Sequence, residues 1–128
     1  MATYSNAPSS IKVYDKVVSS TTLSVTSPEG IKSTVIYTVP ANCHAVLTFS
    51  SIKITTLPTS GNTCNFKIIV DGYRLFEVDA NNAGPSKTTE SVVTVDVGPN
   101  AQVLLQGNSS GGACVASVTT VGTVFINT

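Results

Sequence analysis

The chain has 128 residues and a formal net charge of zero, with seven basic against seven acidic residues and 11% charged overall. That balance leaves no excess of positive charge for phosphates or anionic headgroups, so the sequence carries no signature of a nucleic-acid or membrane-surface partner. No apolar run approaches the length of a bilayer-spanning helix, and the opening MATYSNAPSSIK lacks the charged-then-apolar pattern of a secretory signal.

Taken in chain order, residues 1–10 are small and polar and are expected to form an N-terminal arm, with residues 11–128 as a single domain. The rest is rich in residues stiff at χ1: 18 Val, 8 Ile and 18 Thr make 44 of 128 β-branched, which suits a pleated surface better than a helix. Alternating runs predict strands over 11–18, 22–27, 31–39, 43–56, 64–71, 73–79, 91–97, 101–107 and 114–127. Turn signals separate most of them: Pro28-Glu29-Gly30, Pro40-Ala41-Asn42, Pro58 to Asn62, Asp71-Gly72, Gly84-Pro85, Gly98-Pro99-Asn100 and Gly111-Gly112. No segment of twelve residues keeps a 3.6 period. The expectation is an all-β, antiparallel two-sheet β-sandwich, jelly-roll-like, with about eight to nine strands.

Three local readings go further. In 43–56, Ala45, Leu47 and Phe49 share one parity and Ile52 and Ile54 the other, so Ser50-Ser51 marks a β-bulge or a crossing between sheets. A loop at Gly98–Asn100 is expected to make a hairpin that pairs Val97 with Ala101, Val95 with Val103 and Val93 with Leu105 on one buried face. Around Asp71-Gly72, a two-residue loop opposes Glu77 to Phe66. A three-residue loop instead aligns Phe66, Ile68 and Val70 with Val78, Phe76 and Arg74, and is preferred.

Groups able to do chemistry are sparse. Cys43, Cys64 and Cys114 are odd in number and lack CxxC spacing, so they read as small apolar fillers. His44, the one histidine, follows Cys43 and points to the opposite face of a strand, which argues against a shared metal. Glu77 and Asp79 share a strand face and could act as acid and base, but read more simply as solvated acids. The segment Asp79 to Gly84 resembles the start of a calcium loop without its terminal bidentate Glu, and reads as an Asx-rich turn. No GxSxG, P-loop or HExxH pattern occurs. Neither an enzyme, nor a cofactor, nor a metal site is expected. By parity Tyr37, Phe49, Phe66 and Phe76 are inward, leaving Tyr4, Tyr14 and Tyr73 as scattered exposed rings for a lectin-like function.

The run Val35-Ile36-Tyr37-Thr38-Val39-Pro40-Ala41-Asn42 resembles the tYTVPA(G/N) turn that opens a jelly-roll-like module in many tailed-bacteriophage virion proteins. An apolar strand follows, Ala45 to Phe49, and the segment at 95–100, Val-Asp-Val-Gly-Pro-Asn, is similar to the V-D-L-G-P-G-D corner of those modules. The resemblance covers residues 31–128. It departs at Cys43-His44, where a basic residue often follows the turn, and at Asn100, where no acidic residue closes the corner.

The resemblance implies a capsid decoration (cement) protein or a head- or tail-fibre knob. A chain of this length has room for one sandwich and an arm but no fibre shaft, which favours decoration. The implied role is a homotrimer on the capsid exterior, bound to the major capsid protein and made in the bacterial host cytoplasm. Ile11, Val13, Tyr14 and Val17 are the expected capsid-docking residues. Ile36, Ile69, Val92 and Leu104, outward by parity, are the expected oligomer interface. The alternative is a knob or lectin-like module that binds a host-surface glycan through loops 57–63, 80–90 and 108–113.

Overall fold

The computed structural model describes residues 11–27, 30–82 and 92–127; the expected arm, residues 1–10, lies outside them. Alternation sets the strands. In CHAVLTF, Cys43, Ala45, Leu47 and Phe49 are buried while His44, Val46 and Thr48 are half-exposed, so one face of the pleat meets the core. The strands among the described residues are β1 (Lys12–Thr26), β2 (Lys32–Thr38), β3 (Cys43–Phe49), β4 (Lys53–Thr56), β5 (Thr63–Val70), β6 (Tyr73–Asn81), β7 (Val93–Val97), β8 (Gln102–Ser109) and β9 (Ala113–Ile126). The two strands expected over 11–27 are one.

Sheet A has the order β1-β9-β3-β7, with β4 also on β9, and sheet B the order β2-β8-β5-β6. All the pairs are antiparallel, and β1 with β9, β2 with β8, β3 with β7 and β5 with β6 nest like one long folded hairpin. That winding is a jelly roll, in which most connections cross from one sheet to the other. Phe49, Leu47, Ile54 and Val124 from sheet A, with Ile52 from the β3–β4 link, meet Phe66, Ile68, Val103 and Leu105 from sheet B, all fully buried. Each such side chain contributes ~1.5–3 kcal/mol relative to exposure.

The crossings correct one expectation. β7 and β8 do not pair: β7 lies beside β3, and β8 lies between β2 and β5. Gly98–Asn100 carries the chain across the sandwich. Val97, Ala101, Val103 and Leu105 are buried as expected, but those of β7 and β8 face each other through the core. Alternation identifies the inward face of a strand and leaves its neighbour open.

The β5–β6 hairpin keeps the preferred register away from the turn but closes with the two-residue loop that was not preferred, so Val70 does not meet Arg74. Phe66 pairs with Val78 and Ile68 with Phe76, but the register then shifts, so Ile69 meets Arg74 and Val70 meets Tyr73. Leu75 is the extra, bulged residue. The tip is a two-residue loop with φ of 49° at Asp71 and 85° at Gly72, the paired positive values of a type I′ turn. The bulge keeps Glu77 away from Phe66.

At Ser50-Ser51 the chain makes a bulge rather than crossing. Both β3 and β4 run along β9, with Phe49 opposite Thr120 and Lys53 opposite Ser117. Close approach holds the centre of each sheet. A Cβ on Gly122 would run into the Val46 carbonyl oxygen, and one on Gly107 would lie 2.5 Å from the Phe66 ring.

Candidate docking site

One end of the sandwich is built from three distant pieces of sequence. Asn100 donates its N–H to the Val39 carbonyl at 2.9 Å, and Val39 donates its own to the Ala101 carbonyl at 3.0 Å. The 35–42 and 95–100 segments therefore meet as one corner. Asn42 and Asn100 have φ of 65° and 64°, a left-handed conformation that Asn tolerates and Gly adopts freely. Hence a motif position written G/N holds Asn. The third piece is the end of β9, where the Asn127 N–H donates to the Asn42 carbonyl at 2.7 Å.

Beside this corner the outer face of sheet A carries a short, largely apolar row. Phe125 on β9 stands opposite Val13 on one side and His44 on the other. The His44 and Phe125 rings stack with centroids 5.3 Å apart, and His44 Nδ1 donates to Asn127 Oδ1 at 2.5 Å. Ile11, His44, Phe125, Ile126 and Asn127 line an open cavity of about 320 Å³. Ile11, Val13 and Tyr14 are 65%, 53% and 56% exposed. The Tyr14 bulge is what keeps Val13 and Lys16 on the same face of β1. Burial raises the Tyr37 phenol pKa, helped by the nearby Asp15 carboxylate and the Tyr14 phenol. The corner and the start of β1 are thus neighbours.

Of the expected docking residues, Ile11 lines this cavity and Val13 stands opposite Phe125, while Tyr14, at the bulge, lies near Tyr37. Val17 is not among them: it is 6% exposed and belongs to the core. Phe125, Ile126, His44 and Asn127 join the cluster unforeseen. Phe125 has the outward parity of Val121 and Thr123, but only the pairing of β9 with both β1 and β3 places it at the centre.

The four expected interface residues do not form one patch. Ile69 and Leu104 are neighbours on the outer face of sheet B, with Val35 beyond Leu104. Ile36, at the β2 bulge, packs against the core. Val92 lies on the other sheet, beside Ser50, Lys53 and Ser117 to Thr119.

Elsewhere polar groups are spent on one another. Asn65 Nδ2 donates to Glu77 Oε2 at 2.8 Å and to Asp79 Oδ1 at 2.7 Å, and Arg74 pairs with Glu77. The Asn65 amide, then Arg74 and Lys67, hold the Glu77 carboxyl below its usual range despite some desolvation, which makes it a poor proton donor at neutral pH. Asp79 to Asn81 belong to β6, while Ala83 and Gly84 of the suspected calcium loop lie outside the described residues. Among the described residues no three of His, Cys, Asp and Glu converge as metal ligands. At the opposite end, loops 57–63 and 108–113 meet: Thr59 N–H donates to the Gly111 carbonyl at 3.1 Å and Ser110 Oγ to Asn62 Oδ1 at 3.1 Å. Of the 80–90 loop only 80–82 are described.

No protein-family model matches the chain, and no curated protein does. Among solved structures, dimeric latent PorU from Porphyromonas gingivalis is similar at 12% identity and TM-score 0.49, over 90% of this chain and 13% of that one. The infectious bursal disease virus VP2 subviral particle matches at 12% identity and TM-score 0.40, over 90% of this chain and 34% of that one. The Gx strain structure of the same virus matches at 13% identity and TM-score 0.40, over 90% and 33%. The chain thus spans about a third or less of the proteins it matches. None of these is a tailed-phage protein.

Proposed function

We propose that this chain is a non-enzymatic virion structural protein, a capsid decoration (cement) protein that binds the outside of the shell as a trimer and stabilises it. The observation that carries the reading is the corner: two segments similar to phage-module motifs are hydrogen-bonded to each other at one end of the sandwich, next to an exposed apolar cluster suited to docking. The fold alone is neutral on function. The partner in this reading is the major capsid protein of the same virion, assembled in the bacterial host cytoplasm. Three weak contacts held on one trimer behave as one strong contact, so modest clusters suffice.

The test adds purified protein to undecorated capsids and images where density appears. Occupancy on the outer shell is expected. Val13→Ser combined with Tyr14→Ala removes exposed side chains, each worth ~1.5–3 kcal/mol when buried, and should lower occupancy at least ~10-fold with the fold intact. Density on the tail or nowhere, or unchanged occupancy in the double variant, would reject the reading. Light scattering tests the trimer separately.

A second reading, a glycan-binding knob, draws on the meeting of loops 57–63 and 108–113. A glycan array decides it: specific signal, lost on Asn62→Ala, supports the knob.

A further inference from the structure

A sheet edge presents unpaired backbone groups to any extended strand, and folded proteins blunt such edges with charge, bulges or brevity. Among the described residues the edges are β1, β7 and the short β4 in sheet A and β2 and β6 in sheet B; β4 has four residues, begins at Lys53 and bulges at Thr55. β7 has five residues and carries Asp96. β2 has Lys32 and a bulge at Ile36. β6 presents Arg74, Glu77 and Asp79 and bulges at Leu75. β1 concentrates Lys12, Asp15, Lys16 and its bulge at Tyr14 in its first third. From Val17 to Val25 it has no charge, Pro, Gly or irregularity, and its register with β9 is unbroken. The adjoining outer face is also neutral, with Val18 81% and Val121 43% exposed and Thr48 beyond.

We propose that the Val17–Val25 edge of β1 pairs antiparallel with the same edge of a second copy of this chain, about a two-fold axis at Thr21. In that register Val17 stands opposite Val25, Ser19 opposite Leu23 and Thr21 opposite itself, all facing the sandwich interior. Val18 stands opposite Ser24, and Ser20 opposite Thr22, all facing outward. A shift of one residue would set inward positions against outward ones. Lys16 comes opposite Thr26, so no like charges meet. Nine residues a side supply roughly nine hydrogen bonds, and an isologous two-fold contact needs only one suitable edge. A second copy fits better than another protein's strand because this edge is its own complement in length, charge and parity. The contact leaves Val13 and Tyr14 outside the paired stretch and does not depend on the decoration reading. Together with the proposed trimer, it would link neighbouring trimers.

A charge swap at the outward positions tests the register. Ser20→Lys with Thr22→Lys sets like charges opposite each other twice, whereas Ser20→Lys with Thr22→Glu sets opposite charges there. Light scattering and sedimentation equilibrium across a concentration series should give the native chain a mass that rises with concentration to at least twice that of the first variant. Pairing should weaken about 10-fold in that variant and return in the second, with thermal melts confirming both folds. A native chain that never doubles, a first variant that doubles undiminished, or loss in both variants alike would overturn the proposal. Capsid binding by the first variant is measured in parallel, so loss of doubling with retained binding separates this contact from the docking role.

Discussion

Thr120 sits fully buried in the middle of β9, opposite Ser19 on β1 and Phe49 on β3. Neither the Thr120 nor the Ser19 hydroxyl has a hydrogen-bond partner among the described residues. A buried hydroxyl without a partner carries its desolvation penalty uncompensated, about 1–3 kcal/mol. Thr120→Val keeps the shape and removes the hydroxyl, so it should stabilise the fold by about 1 kcal/mol in denaturant titration; a loss of stability would show that the hydroxyl is paired. The sequence announces the inward position, since Thr120 shares the phase of Cys114, Ala116, Val118 and Val124. It does not announce that the hydroxyl goes unpaired, because the facing residue lies about a hundred positions away. The positive φ of Asn42 and Asn100 is the opposite case: the turn residues themselves signal it.

The break between β3 and β4 is the element whose local signal was fullest. The phase change at Ser50-Ser51 marks it, and the structure supplies its chemistry. Ser50 donates its N–H to the Thr119 carbonyl at 2.8 Å, and its Oγ accepts the Thr119 N–H at 2.9 Å. A side chain thus stands in for the backbone acceptor that the bulge turns away. Ser50→Ala should cost about 1 kcal/mol and speed hydrogen exchange at Thr119, whereas Ser51→Ala should leave that amide protected. Equal protection in both variants would mean that the hydroxyl plays no part. The β5–β6 hairpin was only half legible. Asp71-Gly72 signalled the tight turn and the apolar phase signalled the far register, but reconciling them needed the Leu75 bulge. For β7 and β8 local reading misled, because a Gly-Pro-Asn turn joins neighbours in sequence whether the chain folds back or crosses the sandwich.

Across the whole molecule the three free cysteines are buried, two on the interior of sheet A and one on sheet B. Desolvation, then a hydrogen bond with the Cys114 thiol, pushes the Cys64 pKa up to about 12 from 9.0. The folded state therefore keeps a proton that the unfolded chain releases. Stability from this group is complete below about pH 9 and declines as pH rises toward about 12. Thermal melts should show that alkaline decline, reduced in Cys64→Ala relative to its own neutral value. Thiol titration should find no fast-reacting cysteine in the folded protein and three on unfolding. One fast native thiol would contradict the filler reading of the sequence.

Composition and alternation by themselves determined the material of this protein: an all-β chain, the inward face of most strands, most of the turns and the break in the 43–56 run. These are short-range properties, set by steric preference and by the period of two along a strand. Only the tertiary structure decided which strands are neighbours, since the six crossings between sheets cost little loop entropy and leave no local mark. That choice brought Val13, Phe125 and His44 into one row, removed Val17 to the core, separated Ile36 and Val92 from Ile69 and Leu104, and left the neutral stretch of β1 at an open edge.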